Sequence, residues 1–225
     1  MTKRTLDQAH SAVEAAHCYN ILLDSREIFV HGETDEWGDM GDSFLKNLRI
    51  LLSRNAIDPI VIHQHNLGGD WACGMMLRDA IATCPVPIVF ICHGIAASMG
   101  SIIPMGCHRH KDAYVINMPS ADWLLHEGYT DIGGLTMKQA RSWAKWEDRI
   151  TVEMFDWYVE AFKKGSKCEG WSDTRVRNLI TKQLQIREDW WLSAREAVEY
   201  GLADAVMGDE GFESVETILK HWTTK

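Results

Sequence analysis

The sequence predicts an α/β fold, in which strands and helices alternate along the chain. Two strand–loop–helix units follow one another directly, the first beginning with the apolar run 59–64 and the second with the run 87–92. The second run is apolar on both alternate faces, as expected of a strand that is covered on both sides. Such strands occur mainly in parallel sheets with helices on both faces.

The composition is that of a single soluble globular domain. Of the 225 residues, 46% are hydrophobic and 24% charged, so one core can bury most of the apolar side chains. The formal net charge is −9 and basic residues form no cluster, which argues against nucleic acid as a partner. The six cysteines lack C-x-x-C spacing, which indicates a reducing compartment. Without a secretory leader or a long apolar run, we expect a cytoplasmic protein that contacts no membrane.

The first third of the chain divides into an N-terminal segment and the start of the domain. Residues 1–20 predict a short helix or an arm, and one domain occupies 21–225. Residues 27–32 predict a short buried strand. Apolar side chains recur at helical spacing over 37–54, and a further helix is predicted over 70–83.

One long predicted helix dominates the second half. It follows two short predicted strands, 113–118 and 122–127, and covers 136–162. Its tryptophans exceed what one apolar stripe requires, so the helix either belongs to the core of a monomer or packs on a second chain as well. After it, a capping box at Ser193 begins a short helix that ends at glycine, and an edge strand is predicted over 202–206.

Ser98 is a candidate nucleophile. It follows the apolar run 87–92 within the small-residue segment G-I-A-A-S-M-G, and the next amide, that of Met99, is placed to stabilise a developing oxyanion. A serine that begins a helix is more often an N-cap, and spacing alone favours that interpretation.

Gly68 and Gly69 end the preceding predicted strand. In a parallel sheet they should lie beside Ser98, at the carboxyl ends of neighbouring strands. Glycines in that place either expose an amide to a substrate or form a tight turn with positive φ. The residues leave both interpretations open.

His126 and Asp189 are candidates for a general base and the group that orients it. His126 ends an apolar strand that would immobilise its imidazole, although any one of the ten histidines is more often a surface or core residue. Asp189 lies between Glu188 and two tryptophans, which would lower the local dielectric constant. Glu188 is a rival, and either acid can simply be a charged residue near a helix N-terminus.

Two H-x-H pairs raise the question of a metal site. They are His63 with His65, and His108 with His110, and alternation along a strand would put each pair on one face. Since no third ligand has a recognisable spacing, we expect no metal site.

From about Leu22 to Val206, these residues and their surroundings resemble Clp protease proteolytic subunits. The nucleophile segment of that family has the form G-x-A-A-S-M-G, which matches residues 94–100. The family histidine follows a proline-led strand, as His126 follows Pro119. The family aspartate precedes a stretch like F-L-S-A-x-E-A-V-E-Y-G-L-x-D, which corresponds to the residues after 189.

The resemblance implies a serine endopeptidase with the triad Ser98, His126 and Asp189, and it favours Asp189 over Glu188. It implies a crotonase-like fold of repeated β-β-α units with a protruding handle helix over about 134–165.

It further implies an oxyanion hole made by the amides of Gly68 and Met99. An extended peptide would pair with segments near Gly69 and near Ile132 to Leu135. The implied partners are copies of the same chain in two stacked heptameric rings, an AAA+ unfoldase and its unfolded polypeptide substrate, and no cofactor is implied.

Two features depart from the family pattern. The usual S-P-G-G is Asn66-Leu67-Gly68-Gly69 here, and the first 20 residues do not resemble the axial loop. Such divergence is typical of a phage-encoded or accessory version. The alternatives are a crotonase-type acyl-CoA enzyme, a catalytically silent or partner-activated subunit of a mixed ring, and a serine–lysine signal-peptide peptidase, for which the sequence shows no membrane span.

Overall fold

The computed structural model describes residues 6–34, 40–128 and 134–223. Its strands are β1 (Ile21–Leu22), β2 (Glu27–Thr34), β3 (Ile60–Gly69), β4 (Ile88–Ala97), β5 (Ala113–Asn117), β6 (Asp122–Leu125), β7 (Trp190–Ser193) and β8 (Ala205–Val206). Its α-helices are α1 (Leu6–Tyr19), α2 (Met40–Arg54), α3 (Trp71–Ala82), α4 (Met99–Ile102), α5 (Met137–Phe162), α6 (Asp173–Arg187), α7 (Ala194–Glu199) and α8 (Val215–Thr223). The alternation of strands and helices confirms the predicted α/β class.

The strands form one sheet in the order β1-β2-β3-β4-β5-β8. From β2 to β8 all neighbours are parallel, and β1 is an antiparallel edge. Strand β4 changes its partner along its length: residues 88–92 pair with β5, and residues 95–97 pair with β6. Because β6 in turn pairs antiparallel with β7, these two strands form a short branch of the sheet where β4 ends.

Both faces of the sheet are covered. The larger core lies between one face and helices α2, α3 and α5, and includes the fully buried Phe44, Leu77 and Phe162. On the opposite face, Ile218 of α8 packs against Val89 and its neighbours. This two-sided burial explains why the central strands are apolar on both alternate faces.

Most predicted elements occur within a few residues of their predicted bounds, but β3 and β4 are longer than expected. Strand β3 continues through the glycine pair to Gly69, and β4 continues to Ala97. Each extension lies beyond a shift in the register between β3 and β4. Hydrophobic periodicity along one strand does not reveal such a shift. The predicted helix over 37–54 is described from Met40, since 35–39 lie outside the described residues.

Helices α6 and α8 were missed by the sequence analysis. Helix α6 buries a narrow stripe, Val176, Ile180 and Leu184, among mostly polar side chains. Ser172 caps it by accepting a hydrogen bond from the amide of Arg175 at 3.3 Å, and this N-cap was the available signal. Within the described residues, no helix combines the length and the hydrophobicity that crossing a bilayer requires.

Helix α5 has two different halves. Its buried residues are confined to Met154–Phe162, whereas Met137 and Trp143 near its start are exposed. Thr136 and Gln139 form a capping box that fixes where it begins. The second half is therefore part of the core, and the first half offers apolar side chains to solvent.

Candidate active site

Ser98 lies between β4 and α4 in a strained backbone conformation. Its φ is 53° and its ψ is −121°, a region that a residue with a side chain adopts only when its surroundings enforce it. The Ser98 amide donates to the carbonyl of Leu124 at 3.0 Å. Although Ser98 occupies the N-cap position of α4, its side chain makes no capping hydrogen bond. The N-cap interpretation of the hydroxyl is therefore wrong.

The Ser98 hydroxyl faces the imidazole of His126. Its Oγ lies 2.5 Å from His126 Nε2, within the distance of a short hydrogen bond. Sheet pairing produces this contact, because Ala97 is in register with Leu124 and His126 follows the last residue of β6. Trp123 and Leu125 are fully buried, so the strand that carries the imidazole is fixed.

The environment of His126 favours the neutral imidazole. Burial lowers the pKa of His126 from its ordinary value, and the negative charge of Asp189 opposes this shift. A neutral imidazole is the form that accepts a proton from a serine hydroxyl.

Asp189 lies on the far side of the imidazole. Leu125 pairs antiparallel with Trp190, so the next pair in register brings His126 opposite Asp189. The distance from Asp189 Oδ1 to His126 Nδ1 is 3.8 Å, and the carboxylate side chain is 57% exposed. This is a loose ion-pair distance rather than a hydrogen bond.

The glycine pair closes the other side of the site. A Cβ on Gly68 would lie 2.5 Å from Ser98 Cβ, and one on Gly69 would lie 1.9 Å from the carbonyl oxygen of Thr34. Both glycines have positive φ, 102° and 131°. The tight turn and the close approach to the serine therefore both require glycine here.

The amide of Gly68 already has a partner. It donates to Asn66 Oδ1 at 2.7 Å, and the Asn66 amide group donates in turn to Thr34 Oγ1 at 3.0 Å. Asn66 is fully buried. A substrate oxyanion would have to share or displace this acceptor in order to use the Gly68 amide.

Met99 is the first residue of α4, and its amide belongs to the same peptide group as the Ser98 carbonyl. That carbonyl accepts two hydrogen bonds, from Ser101 N at 2.9 Å and from Ser101 Oγ at 2.7 Å. The Met99 side chain packs on Gly74, where a Cβ would lie 2.2 Å from Met99 Cγ. Both contacts fix the peptide group next to the nucleophile.

The remaining predicted binding residues are only partly described. Leu135 lies half-buried between the Gly134 turn and the start of α5, and Ile132 lies outside the described residues. A cleft beside His126 is lined by Glu127, Gly128, Glu147, Asp148, Thr151 and Val152. The cleft lies between the end of β6 and helix α5, and three of its six lining residues are acidic.

The H-x-H pair at His63 takes part in a hydrogen-bonded chain outside this site. His63 Nδ1 lies 3.0 Å from His93 Nε2, and His63 Nε2 lies 2.9 Å from the carboxylate of Glu27. Across the described ranges, no group of three or more histidine, cysteine or acidic side chains is arranged to hold a metal ion.

Asn66, Ser101 and Tyr158 contact the site or the residues that support it, and these roles could not be predicted from the sequence. Asn66 forms a hydrogen bond with Thr34, which lies 32 residues earlier in the chain. Ser101 forms one with Tyr158, which lies 57 residues later. Contacts at such separations leave no periodic pattern. A polar residue within an apolar run, as Ser101 is, was the one available signal.

Comparisons with known proteins identify the family of the chain. The Clp protease family model matches residues 10–210. The chain is 26% identical over 185 residues to the ATP-dependent Clp protease proteolytic subunit 2 of Treponema denticola, covering 82% of this chain and 83% of that protein. It is 23% identical over 211 residues to the ATP-dependent Clp protease proteolytic subunit of Leuconostoc citreum, covering 92% and 94%.

The fold also resembles that of a solved structure. A mutant of ClpP1 from Listeria monocytogenes superposes with a TM-score of 0.64 at 21% identity, covering 83% of this chain and 93% of that one. This likeness confirms the predicted crotonase-like fold. Since the family model spans most of the sequence, the chain belongs to the Clp protease family, a family of serine peptidases.

Proposed function

We propose that this chain is an endopeptidase subunit in which Ser98, His126 and Asp189 act as the catalytic triad. The observation that carries the proposal is the 2.5 Å contact between Ser98 Oγ and His126 Nε2. The hydroxyl is not used as a helix cap, and its backbone is strained. A strained serine whose hydroxyl faces a neutral imidazole is the arrangement of an activated nucleophile.

The proposed reaction has two stages. His126 Nε2 accepts the Ser98 proton as Oγ attacks the peptide carbonyl, and the resulting imidazolium then protonates the leaving amine. Water, deprotonated by the same imidazole, hydrolyses the acyl-enzyme and restores the serine. Asp189 orients the ring and stabilises its positive charge, a role that requires its 3.8 Å separation from Nδ1 to shorten in the substrate complex.

The amides of Gly68 and Met99 are proposed as the oxyanion donors, and the strand near Gly69 with the segment near Leu135 as the binding site for an extended peptide. The end of β3 supports this assignment, because Gly68 approaches Ser98 more closely than any residue with a side chain could. The donor at Gly68 becomes available only when Asn66 Oδ1 shares or releases it.

We further propose that copies of the chain form two stacked heptameric rings, and that an AAA+ unfoldase feeds unfolded polypeptide into them. Relatives named ATP-dependent Clp protease proteolytic subunits support this assignment. So does the exposed first half of α5, whose Met137 and Trp143 are available to a second copy.

Hydrolysis of an unfolded fluorescent casein tests the triad. The Ser98→Ala variant should assemble as the parent does and lose at least 1,000-fold in rate. Ser120→Ala, in the exposed turn before β6, is the matched control and should keep the parent rate. Cleavage that persists in a pure Ser98→Ala preparation would refute the assignment.

A partner-activated subunit is the second candidate. Two observations favour it: the loose contact between Asp189 and His126, and the Gly68 amide occupied by Asn66. On this alternative the isolated protein is inactive and gains activity when an unfoldase or a second type of subunit is added. A peptidase assay with and without the partner distinguishes the two candidates.

A further inference from the structure

Tyr158, in the buried part of helix α5, is connected to Ser98 by two hydrogen bonds that pass through the hydroxyl of Ser101. Tyr158 OH lies 2.7 Å from Ser101 Oγ, and Ser101 Oγ donates to the Ser98 carbonyl at 2.7 Å. Tyr158 is 1% exposed and Ser101 is fully buried.

The direction of these bonds follows from the proton count. A serine hydroxyl has one proton, and a carbonyl can only accept. Ser101 therefore gives its proton to the Ser98 carbonyl and receives one from Tyr158. Burial raises the pKa of Tyr158 well above its ordinary value, so the phenol remains a donor.

The carbonyl that ends this chain of bonds is rigidly coupled to the Met99 amide. A peptide group is planar, so the orientation of the Ser98 carbonyl fixes the direction of the Met99 N–H. Hydrogen bonds received by the carbonyl also polarise that N–H and make it a better donor. Since Ser98 has the uncommon φ of 53°, this peptide group needs an external support.

We propose that Tyr158 and Ser101 are positioning residues, which hold the Ser98–Met99 peptide group so that the Met99 amide stabilises the oxyanion. The inference rests on the proposed function, because it assumes that Ser98 is the nucleophile. It adds a role for helix α5, whose core half thereby supports the reaction as well as the packing.

The test measures labelling of the intact assembly by a fluorophosphonate, whose phosphoryl oxygen occupies the oxyanion site when Ser98 reacts. The limiting rate kinact and the half-saturating concentration KI are measured for the parent, Tyr158→Phe, Ser101→Ala and the double variant. Tyr200→Phe is the matched control, since it removes a hydroxyl from a residue packed against the same core.

Tyr158→Phe and Ser101→Ala should each lower kinact about tenfold, a fraction of the 100- to 1,000-fold that loss of an oxyanion donor costs. KI, the oligomer mass and the pH of half-maximal labelling should stay unchanged, because the substitutions change neither His126 nor the residues that line the cleft next to it. The double variant should be no slower than Ser101→Ala, since the two groups act in series.

Three results would overturn the inference. Labelling of both single variants within twofold of the parent would remove the positioning role. Losses that multiply to about 100-fold in the double variant would exclude action in series. A parent assembly that never labels at Ser98 would overturn the proposed function and this inference with it, whereas the first two results leave the proposed function intact.

Discussion

At the scale of single residues, the site depends on a few buried polar groups around Ser98. The imidazole of His126 is bonded to the hydroxyl at 2.5 Å, and Asn66 holds the turn that carries Gly68. The family pattern has a serine where this chain has Asn66. The amide side chain of Asn66 contacts both the Gly68 amide and the Thr34 hydroxyl, so it links the end of β3 to the end of β2.

The pH dependence of labelling should reflect the lowered pKa of His126. The base works only when neutral, so the rate rises as pH increases through this pKa, and burial places the midpoint below the ordinary value of about 6.5. Asp189 raises the pKa, so Asp189→Asn should move the midpoint to still lower pH and slow the reaction roughly 10- to 100-fold. A midpoint that moves upward in this variant would contradict the assigned contact.

Replacing Asn66 tests the turn directly. Asn66→Ala leaves the Gly68 amide and the Thr34 hydroxyl without their buried partner, which should lower the free energy of unfolding by about 1–3 kcal/mol. Asn66→Ser retains an acceptor two residues before Gly68 and should recover part of that loss. Urea unfolding measures both variants, and equal stability of Asn66→Ala and the parent would show that the bond contributes nothing.

At the scale of elements, the strands place the triad. Ser98 follows β4, His126 follows β6, and Asp189 precedes β7. Because β6 pairs with β4 on one side and with β7 on the other, the three side chains converge. The β-branched runs predicted the central strands, but no local pattern predicts that β4 exchanges β5 for β6 along its length.

Helices differ in how well sequence predicts them. Helix α7 was expected because Ser193 and Glu196 form a capping box, which the structure contains. Helix α6 was not, because its buried stripe has only three apolar residues and two further apolar residues, Leu179 and Ile186, lie off that stripe, so the amphipathic signal is weak. Its place is set by tertiary packing on α5 and β7, which sequence periodicity does not contain.

The packing of α6 can be tested by truncating its stripe. Ile180→Ala removes a fully buried side chain and should lower the free energy of unfolding by about 2–5 kcal/mol. Ile186→Ala, on the same helix at 67% exposure, should change it by less than about 0.5 kcal/mol. Similar losses at both positions, measured by urea unfolding, would contradict the assigned burial.

At the scale of the whole molecule, apolar exposure is uneven. The first half of α5 leaves Met137 and Trp143 in solvent, at 73% and 46% exposure, while the buried residues of the helix all lie within Met154–Phe162. The sequence already indicated a helix with more tryptophan than one stripe needs. Whether a second chain covers that surface depends on other copies, which the sequence of one chain cannot specify.

The proposed rings make a prediction about that surface. Trp143→Ala should weaken association without lowering the stability of the subunit, because the indole is half-exposed in the single chain. Ile57→Ala, at 81% exposure in the loop after α2, should leave the oligomer mass unchanged. Sedimentation velocity across a concentration series measures both, and an unaltered assembly in Trp143→Ala would exclude this surface from the ring contacts.

The central claim is that Ser98 is the nucleophile of a peptidase. Its most direct test is to label the native assembly with a fluorophosphonate and locate the adduct by peptide mass spectrometry. We expect one adduct for each subunit, on Ser98, that disappears in Ser98→Ala. An adduct on another residue, or an assembled protein that remains unlabelled in the presence and absence of an unfoldase, would contradict it.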